Sequence, residues 1–160
     1  MMGSGKSTVG RILAEALNRP LRDSDEMIEN ETGRTVREIF ATDGEPAFRA
    51  LETEALKSAL QDESPVVVAG AGGIVLAEKN RQLLRQHQPV IWLRGRPEEL
   101  ARRVMDGSTH RPLLGDDALG VLQQMYRDRH ALYAEVATYI IDVDGRQPYE
   151  IAAEILEMLS

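Results

Sequence analysis

The sequence predicts an α/β protein with three layers, α/β/α, built around a central parallel sheet. Short apolar runs alternate along the chain with segments of helical periodicity, which is typical of parallel strands connected by helices. Two of these runs, 66–68 and 90–93, are continuous, as expected of strands buried on both faces. The length of 160 residues favours a single domain, 1–160, with one substantial core.

Apolar spacing places the individual elements. Helices are expected over about 6–18, 25–32, 48–59, 79–86, 100–104, 119–132 and 148–159, and strands over about 20–23, 66–69, 90–93 and 139–143. Pro46 and Pro148 stand near helix starts, where proline is favoured. The segment 106–117 breaks the periodicity with Gly107, Pro112 and Gly115, so it is expected to be a mobile loop.

Composition excludes several classes of function. A net charge of −7 argues against a nucleic-acid partner, which would require a basic face. The absence of cysteine excludes disulfides, thiolate nucleophiles and zinc–thiolate sites. No apolar run approaches the roughly 18 residues of a membrane span, and no signal peptide precedes the first helix. We therefore expect a cytoplasmic protein, monomeric, with no membrane partner.

The basic residues are almost all arginine, since Lys6, Lys57 and Lys79 are the only lysines among 19 basic side chains. Arginine suits bidentate capture of phosphate and carboxylate groups. The same bias also arises from genome composition, and the sequence does not separate the two explanations.

A phosphate-binding loop is predicted at the start of the chain. Gly3, Ser4, Gly5, Lys6, Ser7 and Thr8 form the end of a Walker A motif, followed at once by a periodic helix. Glycines allow backbone N–H groups to approach phosphate oxygens, and the helix start adds partial positive charge. Lys6 is then expected at the β- and γ-phosphates of ATP and Ser7 at Mg²⁺. The alternative is a Gly/Ser turn that caps the helix, with Lys6 solvated.

The motif lacks its first part. Its first glycine would fall one position before Met1, and the apolar strand that usually leads into such a loop is absent. Because that strand lies in the middle of the sheet in P-loop folds, its loss would leave neighbouring strands with unpaired backbone groups. We expect a natural product that begins upstream with an apolar strand ending in glycine.

Five further motifs follow the loop. They are Asp23-Ser24-Asp25, Phe48-Arg49-Ala50-Leu51-Glu52, Gly70-Ala71-Gly72-Gly73, Arg111-Pro112-Leu113-Leu114 and Arg129-His130-Ala131-Leu132-Tyr133. Together and in this order they resemble shikimate kinase, a branch of the nucleoside-monophosphate-kinase-like P-loop family. The resemblance covers essentially the whole chain, less the first strand. It implies a P-loop kinase fold with a mobile lid near 106–117, and transfer of the γ-phosphoryl group of ATP to the 3-hydroxyl of shikimate.

The resemblance assigns the acidic residues to the reacting groups. Asp23 would lie near Mg²⁺ through water, and Asp25 would accept a hydrogen bond from the substrate hydroxyl as the candidate base. Phosphoryl transfer depends mainly on positioning and charge stabilisation, so Asp25 orients more than it deprotonates. An N-cap for the following helix is the structural alternative.

Two arginines are assigned to the carboxylate of shikimate, for which a planar guanidinium is a natural bidentate partner. Arg49 would form one half of the clamp, oriented by Glu52, and Arg129 the other half. An exposed helical ion pair is the alternative for Arg49. The chain departs from the family at Ala131, where proline is usual.

The remaining assignments concern the glycine-rich loop, the lid and the base. Gly72 is expected to contact substrate; Ala71 replaces a family glycine, which is tolerable only at negative φ. Arg111 would place positive charge on the transferring phosphoryl group, so that Lys6, Asp25 and Arg111 carry the catalysis. Arg146 is expected to stack on adenine, Arg103 to cover its other face, His110 to be a plain loop residue and Trp92 a core residue.

Two other functions remain open on sequence. One is a related P-loop kinase acting on gluconate or a nucleotide; the other is a nucleotide-binding homologue without catalysis. A nucleotide acceptor would need an arginine cluster matched to a phosphate and more room than two carboxylate-binding arginines leave. Ala71 and the missing strand are the only support for a silent homologue.

Overall fold

The computed structural model describes residues 1–106 and 117–160, in which helices and parallel strands alternate. In chain order the elements are α1 (Lys6–Ala16), β1 (Leu21–Asp23), α2 (Ser24–Thr32), α3 (Val36–Leu60), β2 (Val67–Ala69), α4 (Glu78–Gln86), β3 (Ile91–Arg94), α5 (Pro97–Asp106), α6 (Ala118–Val136), β4 (Tyr139–Asp142) and α7 (Pro148–Leu159). The predicted α/β class and the order of its elements are confirmed.

Helix α3 is longer than predicted and is interrupted. It begins at a capping box, in which Thr35 accepts from the Glu38 backbone N–H and Glu38 reaches back to the Thr35 N–H. Gly44 leaves the helical conformation with φ 83° and ψ 171°. Pro46 then stands in the first turn of the second part, where the sequence placed a helix start. The part before Gly44 was not predicted, because few apolar residues mark it.

The strands form two parallel pairs, β1 with β2 and β3 with β4. Leu21 is opposite Val67 in the first pair, and Ile91 is opposite Tyr139 in the second. Within the described residues no ladder joins β2 to β3. A cavity of about 710 Å³ is lined by residues of both strands. All the strands are parallel to their partners, as predicted, and they form two separate pairs.

The sequence predicts that the runs 66–68 and 90–93 are buried on both faces. Trp92 and Leu93 are buried, whereas the prediction is wrong for 66–68 and 90–91. Val67, Val68 and Ile91 are only half-buried, and all three line the cavity. The backbone of Val67 faces β1, since its N–H donates to the Pro20 carbonyl at 2.9 Å. Alternation along a strand then turns the peptide groups of Val68 toward the other side. The apolar strand that the sequence analysis expects upstream of the phosphate loop remains a prediction.

Two apolar clusters hold the described elements together. The larger surrounds Trp92, Leu122 and Ile155 and draws on α1, α5, α6 and α7 as well as the strands. The smaller contains Ile28, Ile39, Phe48 and Ala55 and joins α2 to α3. Trp92 is 9% exposed, which confirms it as a core residue. Among the described residues no helix is both long enough and apolar enough to cross a membrane.

Candidate active site

The predicted phosphate loop is shaped by two glycines in the left-handed region. Gly3 has φ 76° and Gly5, the N-cap of α1, has φ 84°. A side chain at Gly3 would also place its Cβ 2.9 Å from the carbonyl oxygen of Leu100. These conformations are unfavourable for other residues, so the two glycines determine the course of the chain into α1.

Polar groups of this loop converge on one oxygen atom. Lys6 Nζ donates to the carbonyl of Met1 at 3.0 Å, and Ser4 Oγ donates to the same carbonyl at 2.8 Å. Ser4 is fully buried, whereas Ser7 and Thr8 are exposed in the first turn of α1. An ammonium group thus lies beside the amino end of a helix, an arrangement that favours anions.

Asp23 accepts three hydrogen bonds, one on Oδ2 and two on Oδ1. Its Oδ2 accepts from Ser7 Oγ at 2.9 Å. Its Oδ1 caps α2 by accepting from the backbone N–H groups of Asp25 at 3.0 Å and Glu26 at 3.5 Å. The capping alternative is therefore present, and it coexists with the proximity of Asp23 to the phosphate loop. The capping hydrogen bonds therefore hold the Asp23 carboxylate in contact with Ser7 Oγ.

A hydroxyl and a carboxylate in contact are hard oxygen donors, the type that Mg²⁺ prefers. Mg²⁺ is usually held by one or two protein groups together with phosphates and water. Ser7 and Asp23 fit that requirement. In the two described ranges there is no cluster of three or more His, Cys, Asp or Glu residues suited to a metal.

Arg49 is held by a buried carboxylate. Its Nη1 donates to both oxygens of Glu52, at 3.1 and 3.0 Å, and the side chain of Glu52 is completely buried. Nη2 also pairs with Glu45 at 3.1 Å. Burial raises the pKa of Glu52, while the nearby Arg49 acts to lower it. The expected orientation of Arg49 by Glu52 is present in the structure.

The glycine-rich loop contacts both the phosphate loop and Arg49. A Cβ at Gly72 would lie 3.3 Å from Met1 Cα, and one at Gly73 would lie 2.1 Å from Arg49 Nη1. Ala71 donates its N–H to Ser24 Oγ at 3.0 Å and does not have a positive φ. The methyl group of Ala71 is therefore tolerated, which agrees with the expectation that alanine is acceptable here only at negative φ.

Arg129, half-buried on α6, faces the same group of side chains. The charge of Arg129 acts to lower the pKa of Glu52, as does that of Arg49, whereas the charge of Asp25 acts to raise it. Burial raises the pKa of the Tyr133 hydroxyl, and the charges of Arg129 and Arg49 act to lower it. The two predicted clamp arginines, from α3 and α6, thus lie within electrostatic reach of the same buried groups, Glu52 and Tyr133.

The arginines assigned to adenine have partners within the protein. Arg146 Nη1 forms an ion pair with Glu154 at 2.6 Å. Arg103 Nη2 donates to the carbonyl of Val143 at 2.6 Å, and its Nε pairs with Glu99 at 2.9 Å. Arg103, on α5, therefore hydrogen-bonds the segment 143–146, which carries Arg146. Arg111, His110 and most of the predicted lid lie outside the described residues.

Two residues of the site were not assigned a role from the sequence. Tyr133 donates its hydroxyl proton to the carbonyl of Gly72, and Gly73 lies directly against the guanidinium of Arg49. Tyr133 follows Arg129 by four residues, which places both on one face of α6. That spacing is the signal by which Tyr133 could have been recognised. Nothing in the sequence distinguishes Gly73 from Gly72.

Comparison with known proteins gives a consistent result. A family model described as shikimate kinase matches residues 2–160. Shikimate kinase of Symbiobacterium thermophilum is 44% identical, over 99% of this chain and 92% of that protein. Shikimate kinase of Rhodococcus jostii is 43% identical, over 99% of this chain and 93% of that protein.

A solved structure leads to the same family. The structure of shikimate kinase from Acinetobacter baumannii in complex with shikimate superposes with a TM-score of 0.90, at 36% identity, covering 99% of this chain and 88% of that one. With the matched family model, the relatives above 40% identity and the geometry of the phosphate loop and arginine pair, the conclusion is direct: this chain belongs to the shikimate kinase family.

Proposed function

We propose that the chain transfers the γ-phosphoryl group of ATP to the 3-hydroxyl of shikimate, giving ADP and shikimate 3-phosphate, a step in the biosynthesis of chorismate and the aromatic amino acids. The observation that carries this proposal is the meeting of Arg49 and Arg129 beside the glycine-rich loop, which in turn contacts Met1 at the phosphate loop. A cationic site for a small carboxylate thus adjoins a site for phosphate.

ATP is proposed to bind at Gly3–Thr8, with its phosphates at the amino end of α1. Lys6 would exchange its bond to the Met1 carbonyl for a bond to phosphate oxygens. Ser7 and Asp23 would hold Mg²⁺, Asp23 through water, and the ion would supply charge neutralisation for the β- and γ-phosphates. Arg146 is proposed for the base, at the cost of its ion pair with Glu154.

Shikimate is proposed to place its carboxylate between Arg49 and Arg129 and to contact Gly72. Glu52 occupies one edge of the Arg49 guanidinium and prevents it from turning away. The other edge of the guanidinium, Nε and Nη2, bonds the exposed carboxylate of Glu45. The substrate carboxylate would replace Glu45 at this edge, while Glu52 keeps Nη1. Because these contacts exist before and during transfer, they contribute chiefly to substrate binding.

Asp25 is proposed to orient the reacting hydroxyl toward the γ-phosphoryl group. Its backbone N–H is bonded to Asp23 Oδ1 at 3.0 Å, so the residue proposed for the metal and the residue proposed for the acceptor share one capping turn. Positioning of this kind accounts for most of the catalysis in phosphoryl transfer. Arg111 is proposed to stabilise the transferring group, and the domain is proposed to act as a monomer.

A coupled assay of ADP release tests the proposal. Shikimate is compared with gluconate and with nucleoside monophosphates as acceptors, at saturating ATP and Mg²⁺. We expect ADP release that depends on shikimate and is at background with the other acceptors. ADP formation that depends on gluconate or a nucleotide would identify a different kinase of this fold, and none with any acceptor would identify a silent homologue.

A further inference from the structure

Tyr133 lies where the two halves of the proposed shikimate site meet. The residue is 7% exposed, and its ring packs against Trp92 with centroids 5.3 Å apart. It follows Arg129 by one helical turn on α6, so the two side chains share a face of the helix. The ring is therefore held in place by the core, while its hydroxyl extends to the site.

The hydroxyl of Tyr133 donates its proton to the carbonyl of Gly72. Arg129 and Arg49 act on this hydroxyl electrostatically, so it lies within reach of both charges of the proposed clamp. Burial raises the pKa of Tyr133, so the proton stays on the hydroxyl through neutral pH.

The bond to Gly72 fixes more than one carbonyl. The peptide group is planar, so the N–H of Gly73 points to the side opposite the Gly72 carbonyl. Gly73 is buried and lies against the Arg49 guanidinium, leaving no room even for a methyl group. The position of this peptide therefore determines where the Arg49 guanidinium packs.

We propose that Tyr133 is a positioning residue for the clamp. Its hydroxyl holds the Gly72 carbonyl and so supports Arg49 through the Gly72–Gly73 peptide. Because Tyr133 and Arg129 share one face of α6, this bond sets the position of Arg49 relative to the helix that carries Arg129. This inference rests on the proposed function. Tyr133 itself does not need to contact shikimate, so its effect is on affinity for the carboxylate substrate rather than on the chemical step.

The test is Tyr133→Phe, which keeps the ring and removes the hydroxyl. We expect the KM for shikimate to rise about threefold to tenfold, the range of one hydrogen bond, with kcat within twofold and the KM for ATP unchanged. Tyr126→Phe, on the same helix with its ring stacked on His130, is the matched control and should change none of these values. A second measurement in the Arg49→Ala background should show a smaller effect of Tyr133→Phe, because the guanidinium that the Gly72–Gly73 peptide supports is already gone.

The outcomes separate this inference from the proposed function. Wild-type protein without shikimate-dependent ADP release would overturn the function. Active wild type with an unchanged shikimate KM in Tyr133→Phe would overturn only the role of Tyr133, and so would an equal rise in both KM values accompanied by a lower Tm. If Tyr133→Phe does not fold, difluorotyrosine at 133 decides the question. It keeps a hydroxyl of lower pKa, so the shikimate KM should rise with pH as the donor proton is lost, and a flat pH profile would refute the proposal.

Discussion

Arg49→Ala tests whether Glu52 is a buried charge that depends on its partner. Glu52 has no exposed side-chain surface, and its carboxylate accepts two bonds from Arg49. Removing one member of such a buried pair costs about 3–5 kcal/mol of stability, because the other charge is left uncompensated. Arg129 also acts on Glu52, so the cost should lie near the lower end, about 3 kcal/mol.

Other contacts of Arg49 add little to that figure. The pair with Glu45 is exposed on the carboxylate side, at 58%, and contributes less than about 1 kcal/mol. The guanidinium carbon lies 5.4 Å from the Phe48 ring centroid and 5.9 Å from that of Phe40, at a distance where a cation–π contact contributes about 0.5–1 kcal/mol. Most of the stability lost in Arg49→Ala therefore comes from the uncompensated charge of Glu52.

Urea unfolding at about pH 7 and about pH 5 measures this effect. Without Arg49 the folded-state pKa of Glu52 rises further above its ordinary value, so acid should reduce the difference in unfolding free energy between variant and wild type. Adding Glu52→Gln to Arg49→Ala should recover at least about 1 kcal/mol, because the uncompensated charge is removed. A loss below about 1 kcal/mol, independent of pH and of Glu52, would refute the reasoning.

Three further predictions follow from the same structure. Gly73→Ala should raise the shikimate KM and also lower Tm, because the new Cβ would lie 2.1 Å from Arg49 Nη1, the atom that bonds buried Glu52; steady-state kinetics and thermal melts check this. Burial raises the pKa of Glu52 above its ordinary value of 4.5. Above pH 4.5 the native state therefore binds more protons than the unfolded state, and the free energy of unfolding falls as pH rises through the folded-state pKa. Glu52→Gln should lose this pH dependence, which urea unfolding at a series of pH values measures. Hydrogen exchange should be faster at the amide of Val68, on the cavity side of β2, than at Val67, which is bonded to Pro20.

Much of the fold was predictable because its signals are local. The periodic helix after Gly5, the apolar runs of β2 and β3, and Pro148 at the start of α7 each mark an element without reference to the rest of the chain. The separation of the sheet into the pairs β1–β2 and β3–β4 depends on how the elements pack and is not marked in the apolar runs themselves. The length of α3 was not predictable, since its first part is fixed by the Thr35–Glu38 capping box rather than by an apolar face.

The site was predictable as motifs but not as contacts. Ser7 and Asp23 are 16 residues apart, and their bond depends on β1 ending beside the phosphate loop. Tyr133 and Gly72 are 61 residues apart, and no local pattern pairs a helix tyrosine with a loop carbonyl. Long-range contacts of this kind arise from the packing of elements, which single-sequence periodicity does not encode.

The excess of arginine also acquires a physical explanation. Several arginines far from the site form ion pairs across or along elements, as Arg22 does with Asp62 and Arg94 with Asp142. Arg81 and Arg85 both pair with Glu78 and Glu135, which ties α4 to α6. Capture of anionic substrates therefore accounts for only a few of the arginines in the chain.

The central claim is that Arg49 and Arg129 bind one carboxylate beside the phosphate loop. A crystal structure of this chain with shikimate, ADP and Mg²⁺ tests it most directly. We predict that the shikimate carboxylate contacts both guanidinium groups, with a ring hydroxyl at Asp25 and the nucleotide phosphates at Lys6. Shikimate bound elsewhere, with its carboxylate touching neither arginine, would contradict the account.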